Sequence, residues 1–183
     1  MSNRQRILGI DPGSRLTGFG VLDFDADNAT YVTSGVIQTI DGEFSDRLKD
    51  IYTFVSELVN EYNPDAVAVE SIFVHKNPGS ALKLGHARSA AICATFQSNA
   101  TIYEYAPREI KLAVVGSGAA SKEQVQHMVQ TLLKLPGKPQ SDAADALAIA
   151  ICHINTQQSL SRLAGSDIAA NTYSRGRLKK IKR

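Results

Sequence analysis

The spacing of apolar and polar residues in the first third of the chain predicts three strands and a helix. The segments "RILGID", "TGFGVLDFD" and "ATYVTSGVIQTI" are rich in β-branched and aromatic residues and are separated by turn-forming residues. Consecutive strands of this kind are typically antiparallel. From Ser45 to Tyr62 the apolar residues recur every three or four positions, which predicts an amphipathic helix that Asn63-Pro64 ends.

Strands and helices alternate in the rest of the chain. The continuous apolar run Asp65–Glu70 is typical of a strand buried in a parallel sheet, and "TIYEYA" predicts a fifth strand. Further helices are predicted at Ser80–Gln97, Pro107–Val115, Lys122–Leu133 and Ser141–Thr156. We therefore expect an α/β fold, in which helices flank both faces of a five-stranded mixed sheet.

The composition is that of one globular domain. The chain has 183 residues, of which 43% are hydrophobic, enough for a sizeable core. No apolar run approaches the roughly 18–20 residues of a membrane span, and the first residues lack the apolar core of a signal peptide. The two cysteines, Cys93 and Cys152, show no ligand spacing, and we expect reduced core residues in a cytoplasmic protein.

Positive charge is concentrated at the C-terminus. Residues 157–183 contain seven basic residues and one acidic residue, whereas the whole chain carries a net charge of only +2. We expect residues 1–156 to form the domain and residues 157–183 a basic, flexible tail. Such a tail suits a polyanionic partner, but a solvated terminus has the same composition, and both interpretations stay open.

Four acidic residues stand at the ends of predicted elements. Asp11 ends the first strand, Glu70 ends the fourth, and Asp142 and Asp145 lie in the first turn of the last helix. Each has an ordinary explanation, such as a turn residue or a helix cap. If the first and fourth strands are neighbours, however, their carboxyl ends share one edge of the sheet, where ligands gather in open α/β folds.

Four clustered carboxylates repel one another and favour hard divalent cations with oxygen ligands, Mg²⁺ or Mn²⁺. A pair of such ions about 4 Å apart activates water and stabilises the leaving oxygen in phosphodiester cleavage. The quartet therefore indicates metal-dependent hydrolysis of a phosphodiester.

Several segments together resemble one known family. The stretches "GIDPGSRLTGFGV", "VAVESIF", "KNPGSALKLGHARSAAI", "QVQHMVQTLLKLP" and "DAADALAIAI" resemble, in order and spacing, the RuvC family of Holliday-junction endonucleases. The resemblance implies an RNase H-like fold, a homodimer, and metal-dependent paired nicking of four-way DNA junctions in recombination and repair. It also implies RuvA and RuvB as branch-migration partners and a thymine-rich cutting preference. The catalytic, metal-binding quartet it implies is Asp11, Glu70, Asp142 and Asp145, holding two Mg²⁺ ions for which Mn²⁺ substitutes.

The resemblance also suggests DNA-binding residues. Phe73 matches an aromatic residue that stacks on an unpaired base at the crossover, although a phenylalanine in this position ordinarily packs onto the core. Lys111 and Lys122 match basic positions that the family needs for DNA, and Lys76 and Arg88 flank the loop of Phe73. Any single one of these lysines could equally be an ordinary surface residue.

The predicted helix Ser80–Gln97 carries many small residues, which permit close approach of another helix of the same protein or of a second copy. They are Gly85, Ala87, Ser89, Ala90, Ala91 and Ala94. The four histidines show no metal-ligand spacing, and we interpret them as structural or surface residues.

Two other enzyme classes are compatible with parts of the sequence. The fold alone also suits a nuclease for RNA–DNA hybrids or a transposase core. The segment "GIDPGSRLTGFGV" also resembles the first phosphate loop of the actin, sugar-kinase and Hsp70 group, but that group needs two lobes and a second loop. A non-catalytic junction-binding protein would not need the four acids.

Overall fold

Five strands and five helices make up the described part of the chain. The structure is a computed structural model and describes residues 4–25, 28–39, 41–71 and 78–164. The elements, in chain order, are β1 (Gln5–Asp11), β2 (Leu16–Asp25), β3 (Asn28–Gln38), α1 (Phe44–Tyr62), β4 (Ala66–Glu70), α2 (Pro78–Thr95), β5 (Thr101–Tyr105), α3 (Pro107–Val115), α4 (Lys122–Leu132) and α5 (Ser141–Ala164).

The strands form one mixed sheet in the order β3-β2-β1-β4-β5. The first three strands pair antiparallel, whereas β4 lies parallel to both β1 and β5. The predicted five-stranded mixed sheet is therefore confirmed. In the β1–β4 ladder Ile10 pairs with Val69, so the next residue of each strand, Asp11 and Glu70, comes out at the same edge.

Helices cover both faces of the sheet, as predicted. Because side chains alternate along a strand, Leu8 and Ile10 face a core that includes α1 and α2, whereas Ile7 faces the core of α3, α4 and α5. Ala66–Val69 of β4 divide between the two cores in the same way. All four residues are fully buried, as is typical of a parallel strand with both faces covered.

Helix α5 packs directly on the backbone of the sheet. A Cβ atom at Gly18 of β2 would lie 1.9 Å from the carbonyl oxygen of Asp142, and one at Gly9 of β1 would lie 2.1 Å from that of Ala146. Only glycine fits at such distances. The many alanines of α5 follow from the same closeness, and the packing brings the acidic first turn of the helix to the end of β1.

Two expectations about the helices need correction. Helix α5 ends at Ala164 instead of Thr156, because no glycine or proline interrupts the sequence before Gly165. Cys152 is buried as expected, but Cys93 is exposed, since it lies on the outer face of α2.

Among the described residues no helix is both long and apolar enough to span a membrane.

The small-residue face of α2 is in large part an internal surface. Ala87, Ala91 and Ala94 are fully buried and contact the core shared with α1. For these three residues internal packing, one of the two alternatives for this helix, is the correct one. Ser89 of the same set is exposed.

A histidine is fully buried beneath the sheet. His153 of α5 shares a 2.8 Å hydrogen bond between its Nδ1 and the hydroxyl of Tyr105, and its ring lies 4.4 Å from the ring of Tyr103, centroid to centroid. Burial lowers the pKa of His153 to about 4, because a charged imidazole would lose its hydration there.

We expect the free energy of unfolding to depend on this histidine. As the pH falls, a histidine with a lowered pKa takes up its proton in the unfolded chain before it does so in the folded protein. Its contribution to the free energy of unfolding is therefore complete above about pH 6.5 and is lost as the pH falls towards 4. The total is about 3 kcal/mol at 1.36 kcal/mol per pH unit. Urea unfolding between pH 7.5 and 4.5 should show this loss in the unchanged protein and a flatter curve in His153→Gln. The exposed His127→Gln should follow the unchanged protein, and parallel curves for all three proteins would contradict the assignment.

Candidate active site

Three carboxylates from opposite ends of the sequence meet at the end of β1. Asp11, Asp142 and Asp145 each offer one oxygen, and these oxygens all lie within 4.8 Å of one another. Asp11 is the last residue of β1, Asp142 lies in the first turn of α5, and Asp145 follows three residues later. Residues three apart in a helix share one face, so both helical acids turn towards the strand end.

Glu70 joins this cluster through Asp11. The two side chains lie within hydrogen-bonding distance of each other, as expected for the last residues of two adjacent parallel strands. The structure thus brings together all four acids that the sequence analysis selected.

The loop after β1 holds Asp11 in place. The side chain of Thr17 is fully buried and its Oγ1 donates to the carbonyl oxygen of Gly13 at 2.9 Å, while the Gly13 amide donates back to Oγ1 at 3.3 Å. This pair of bonds closes the turn between Asp11 and β2. The sequence analysis did not select Thr17, although a threonine four residues after Gly13 in a glycine-containing turn is a usable signal.

Burial and mutual repulsion disfavour full ionisation of the cluster. Burial and, next, the charges of Glu70 and Asp145 raise the pKa of Asp11 to about 8. Burial is also the main cause that raises the pKa values of Glu70 and Asp145, with opposition from nearby lysines. A cation at this position would remove the repulsion, and carboxylate oxygens are the ligands that hard divalent cations prefer. The donor set therefore fits such an ion.

A lysine side chain already contributes positive charge at the cluster. The Nζ of Lys122 lies 2.8 Å from Oδ2 of Asp145 and 3.7 Å from Oδ1 of Asp142. The hydrogen bond to Asp145 is the main cause that raises the pKa of Lys122. Lys122 is the first residue of α4, and Ser121 caps that helix by accepting from the amide of Gln124.

Lys111 of α3 lines a cavity beside these acids. This cavity has a volume of about 180 Å³, and Glu70, Lys122 and Asp145 contribute to its wall. Both lysines thus face the acids, whereas resemblance alone predicted only that they contact DNA. An anion that entered the cavity would meet two ammonium groups beside the carboxylates.

Arg88 makes contacts within the protein at the end of β4. Its Nε donates to the carbonyl oxygen of Glu70 at 3.0 Å, and its Nη2 lies 2.7 Å from a carboxylate oxygen of Glu104 on β5. Only 17% of its side chain is exposed. Arg88 thus ties α2 to the ends of β4 and β5 at Glu70, and its contact with DNA stays a prediction. Phe73 and Lys76 lie outside the described residues.

Comparison with known proteins is consistent with this site. The family described as crossover junction endodeoxyribonuclease RuvC matches residues 7–153. The crossover junction endodeoxyribonuclease RuvC of Vibrio cholerae serotype O1 is 57% identical over 171 residues, which cover 93% of this chain and 97% of that protein. The protein of the same name from Tolumonas auensis is 54% identical over 173 residues, covering 94% and 98%.

Solved structures agree with the sequence comparison. The structure described as Thermus thermophilus RuvC in complex with Holliday junction substrate is 35% identical, has a TM-score of 0.79, and covers 85% of this chain and 96% of its own. The yeast mitochondrial Holliday junction resolvase Ydc2 is 14% identical with a TM-score of 0.65 and supports the fold alone. The RNase H-like α/β fold is confirmed, and this chain belongs to the RuvC family of crossover junction endodeoxyribonucleases.

Proposed function

We propose that this protein resolves four-way (Holliday) DNA junctions by paired, metal-dependent phosphodiester cleavage, acting in the cytoplasm during homologous recombination and DNA repair. The observation that carries the proposal is the cluster of Asp11, Asp142 and Asp145 within 4.8 Å, beside Lys122. Family membership supports the choice of a junction over other nucleic acids.

Asp11, Glu70, Asp142 and Asp145 would hold the cations, which we propose are two Mg²⁺ ions with Mn²⁺ as a substitute. When bound, such ions supply Lewis acidity at the scissile phosphate and a hydroxide from water. The all-oxygen donor set and the raised pKa of Asp11 support this choice. Asp11 must lose its proton before it can act as a ligand.

The remaining side chains would position the DNA strand. Lys111 and Lys122 would place positive charge next to the scissile phosphate, and Arg88 and Thr17 would keep Glu70 and Asp11 in register. We propose that Phe73 stacks on an unpaired base at the crossover and that Lys76 contacts a phosphate. We further propose that the basic residues after position 156 add general electrostatic attraction to DNA. We also propose that the protein acts together with the branch-migration proteins RuvA and RuvB.

Paired nicking needs two active sites that face opposed strands, which a two-fold symmetric dimer provides. The outer face of α2 and the residue just beyond it expose a stripe with helical spacing: Leu82, Ser89, Cys93 and Phe96. Leu82 and Phe96 are each 63% exposed, which is a large fraction for apolar side chains on one face of a helix. We propose that this outer α2 face docks a second copy.

The decisive experiment compares three substrates in Mg²⁺: a mobile four-way junction, a linear duplex and an RNA–DNA hybrid. We expect only the junction to be converted to nicked duplexes, in a sequence-selective manner. Cleavage of the hybrid at a comparable rate would instead favour another nuclease of the same fold.

We expect single substitutions of the acids to separate chemistry from binding. Asp11→Asn, Glu70→Gln, Asp142→Asn and Asp145→Asn should each lower the nicking rate at least about 100-fold, as loss of one transition-state stabiliser does. Junction affinity should persist, because these acids shape no DNA groove. Since asparagine caps helices as well as aspartate, Asp142→Asn should keep its melting temperature.

The exposed Glu57→Gln on α1 is the matched control and should nick normally. An acid whose substitution leaves near-normal cleavage is not part of the site. Gel assays of nicking and of binding, run on the same preparations, distinguish these outcomes.

We expect Lys122→Gln to bind Mg²⁺ more tightly in the absence of DNA. The ammonium group competes with a cation for Asp145 and Asp142, and a half-exposed ion pair is worth about 0.2–1 kcal/mol, so the gain is at most about five-fold. Titration calorimetry measures it, with the exposed Lys49→Gln as control. If Lys122→Gln binds Mg²⁺ with unchanged affinity but binds the junction more weakly, Lys122 does not compete with the cation and contacts DNA instead.

We expect Leu82→Asp to weaken the dimer and to uncouple the two nicks. A buried carboxylate at a self-complementary interface faces its own copy across the two-fold axis and repels it. Sedimentation should show a shift to monomer, and junctions should accumulate with one nick. Leu132→Asp, a 48% exposed leucine on α4, should remain dimeric. A dimer that is unaffected by Leu82→Asp would place the interface elsewhere.

A further inference from the structure

A second cavity, unrelated to the four acids, opens beside the turn between β1 and β2. Its volume is about 520 Å³, and it is lined by Arg15, Leu16, Gln38, Thr39, Asp41 and Arg47. We refer to it as the Arg15–Arg47 pocket. Two guanidinium groups line it against one exposed carboxylate, so the pocket favours an anion.

The backbone holds the wall of this pocket in place. Both the amide and the Oγ1 of Thr39 donate to the carbonyl oxygen of Arg15, at 3.0 and 3.3 Å. These bonds fasten the β1–β2 turn to the end of β3. Arg15 therefore stands on a braced turn, although its side chain is exposed.

Arg47 offers hydrogen-bonding capacity that the described residues do not use. Its Nη2 donates to the carbonyl oxygen of Gly42 at 3.1 Å. This bond orients the guanidinium group, and because its Nε is shielded from solvent, a ligand in the pocket would meet the Nη groups. Guanidinium groups present paired donors that match the oxygens of a phosphodiester.

The pocket lies on the same edge of the sheet as the acidic cluster. Asp11 pairs with Gly18, and Leu16, the first residue of β2 and two residues before Gly18, pairs with Gln38 of β3. Given strand spacings of about 4.8 Å and rises of about 3.3 Å per residue, the pocket begins about 8–12 Å from Asp11. A DNA strand rises about 3.4 Å per nucleotide and also winds around the helix axis, so its consecutive phosphates are about 7 Å apart and this separation corresponds to about one or two nucleotides.

We propose that the Arg15–Arg47 pocket binds a backbone phosphate of the nicked strand, about one or two nucleotides from the scissile phosphate. This inference rests on the proposed junction cleavage and adds to it a subsite that fixes where along the strand the acids act. Its volume, larger than that of the cavity beside the acids, accommodates a phosphodiester together with its sugar.

The test uses the full chain and a four-way junction without divalent cations, so that binding is measured in the absence of cleavage. Arg15→Gln and Arg47→Gln should each reduce the slope of log affinity against log salt by about 0.9, the value for one lost phosphate contact. Lys49→Gln removes the same charge from the exposed surface of α1 and should leave the slope unchanged. The hydrogen bonds that hold Arg15 in the fold are accepted by its backbone carbonyl, so Arg15→Gln should leave the fold intact. This variant therefore tests the pocket even if Arg47→Gln, which loses a side-chain bond to Gly42, loosens the start of α1.

Neutral methylphosphonates, placed singly at each position within five nucleotides of the scissile phosphate, identify the ligand. One or two of them should weaken binding by the unchanged protein and have no further effect on Arg15→Gln. A site for free phosphate would not respond to these substitutions. If each methylphosphonate weakens junction binding equally for the unchanged protein and for Arg15→Gln, the proposed phosphate contact of the pocket is wrong, even when the protein still nicks junctions. A protein that neither prefers nor nicks junctions would overturn the proposed function as well.

Discussion

The contact between α5 and the bare backbone of β1 and β2 determines most of what this domain does. Side chains at Gly9 and Gly18 would occupy the space of the helix carbonyl groups. Because the helix is this close, its first turn reaches the end of β1, and two aspartates from the far end of the chain join Asp11. A helix held off the sheet by ordinary side chains would leave the carboxylates too far apart to share an ion.

The site that results is electrostatically unfavourable on its own. Burial raises the pKa of Asp11 to about 8. The surroundings of this carboxyl group therefore favour its neutral form over the charged form that would bind a cation. Lys122 relieves part of the repulsion through Asp145, and Arg88 fixes the backbone at Glu70 without adding charge to the cluster. Such a locally unfavourable arrangement is typical of a functional site, where proteins tolerate what they avoid elsewhere.

Much of this arrangement could be predicted from the sequence. The bounds of α3 are as predicted, and the convergence of Asp11 and Glu70 follows from the rule that parallel strands bring their carboxyl ends to one edge. What the pattern could not supply was the direction of long side chains. The guanidinium of Arg88 turns inward to a backbone carbonyl, and Cys93 turns outward from a helix whose alanines turn inward. Such choices depend on neighbours from distant parts of the chain.

The order of the elements also affects when the site can exist. Asp11 belongs to the first strand of this domain, whereas Asp142 and Asp145 lie at the start of its last described helix. Long-range contacts of this kind form late, because closing a loop of nearly the whole domain costs chain entropy first. A nascent chain that has completed β1 through α4 lacks half of its acids. The nuclease centre therefore assembles only when synthesis of the domain is complete, and an unfinished chain has no centre with which to cut the chromosome.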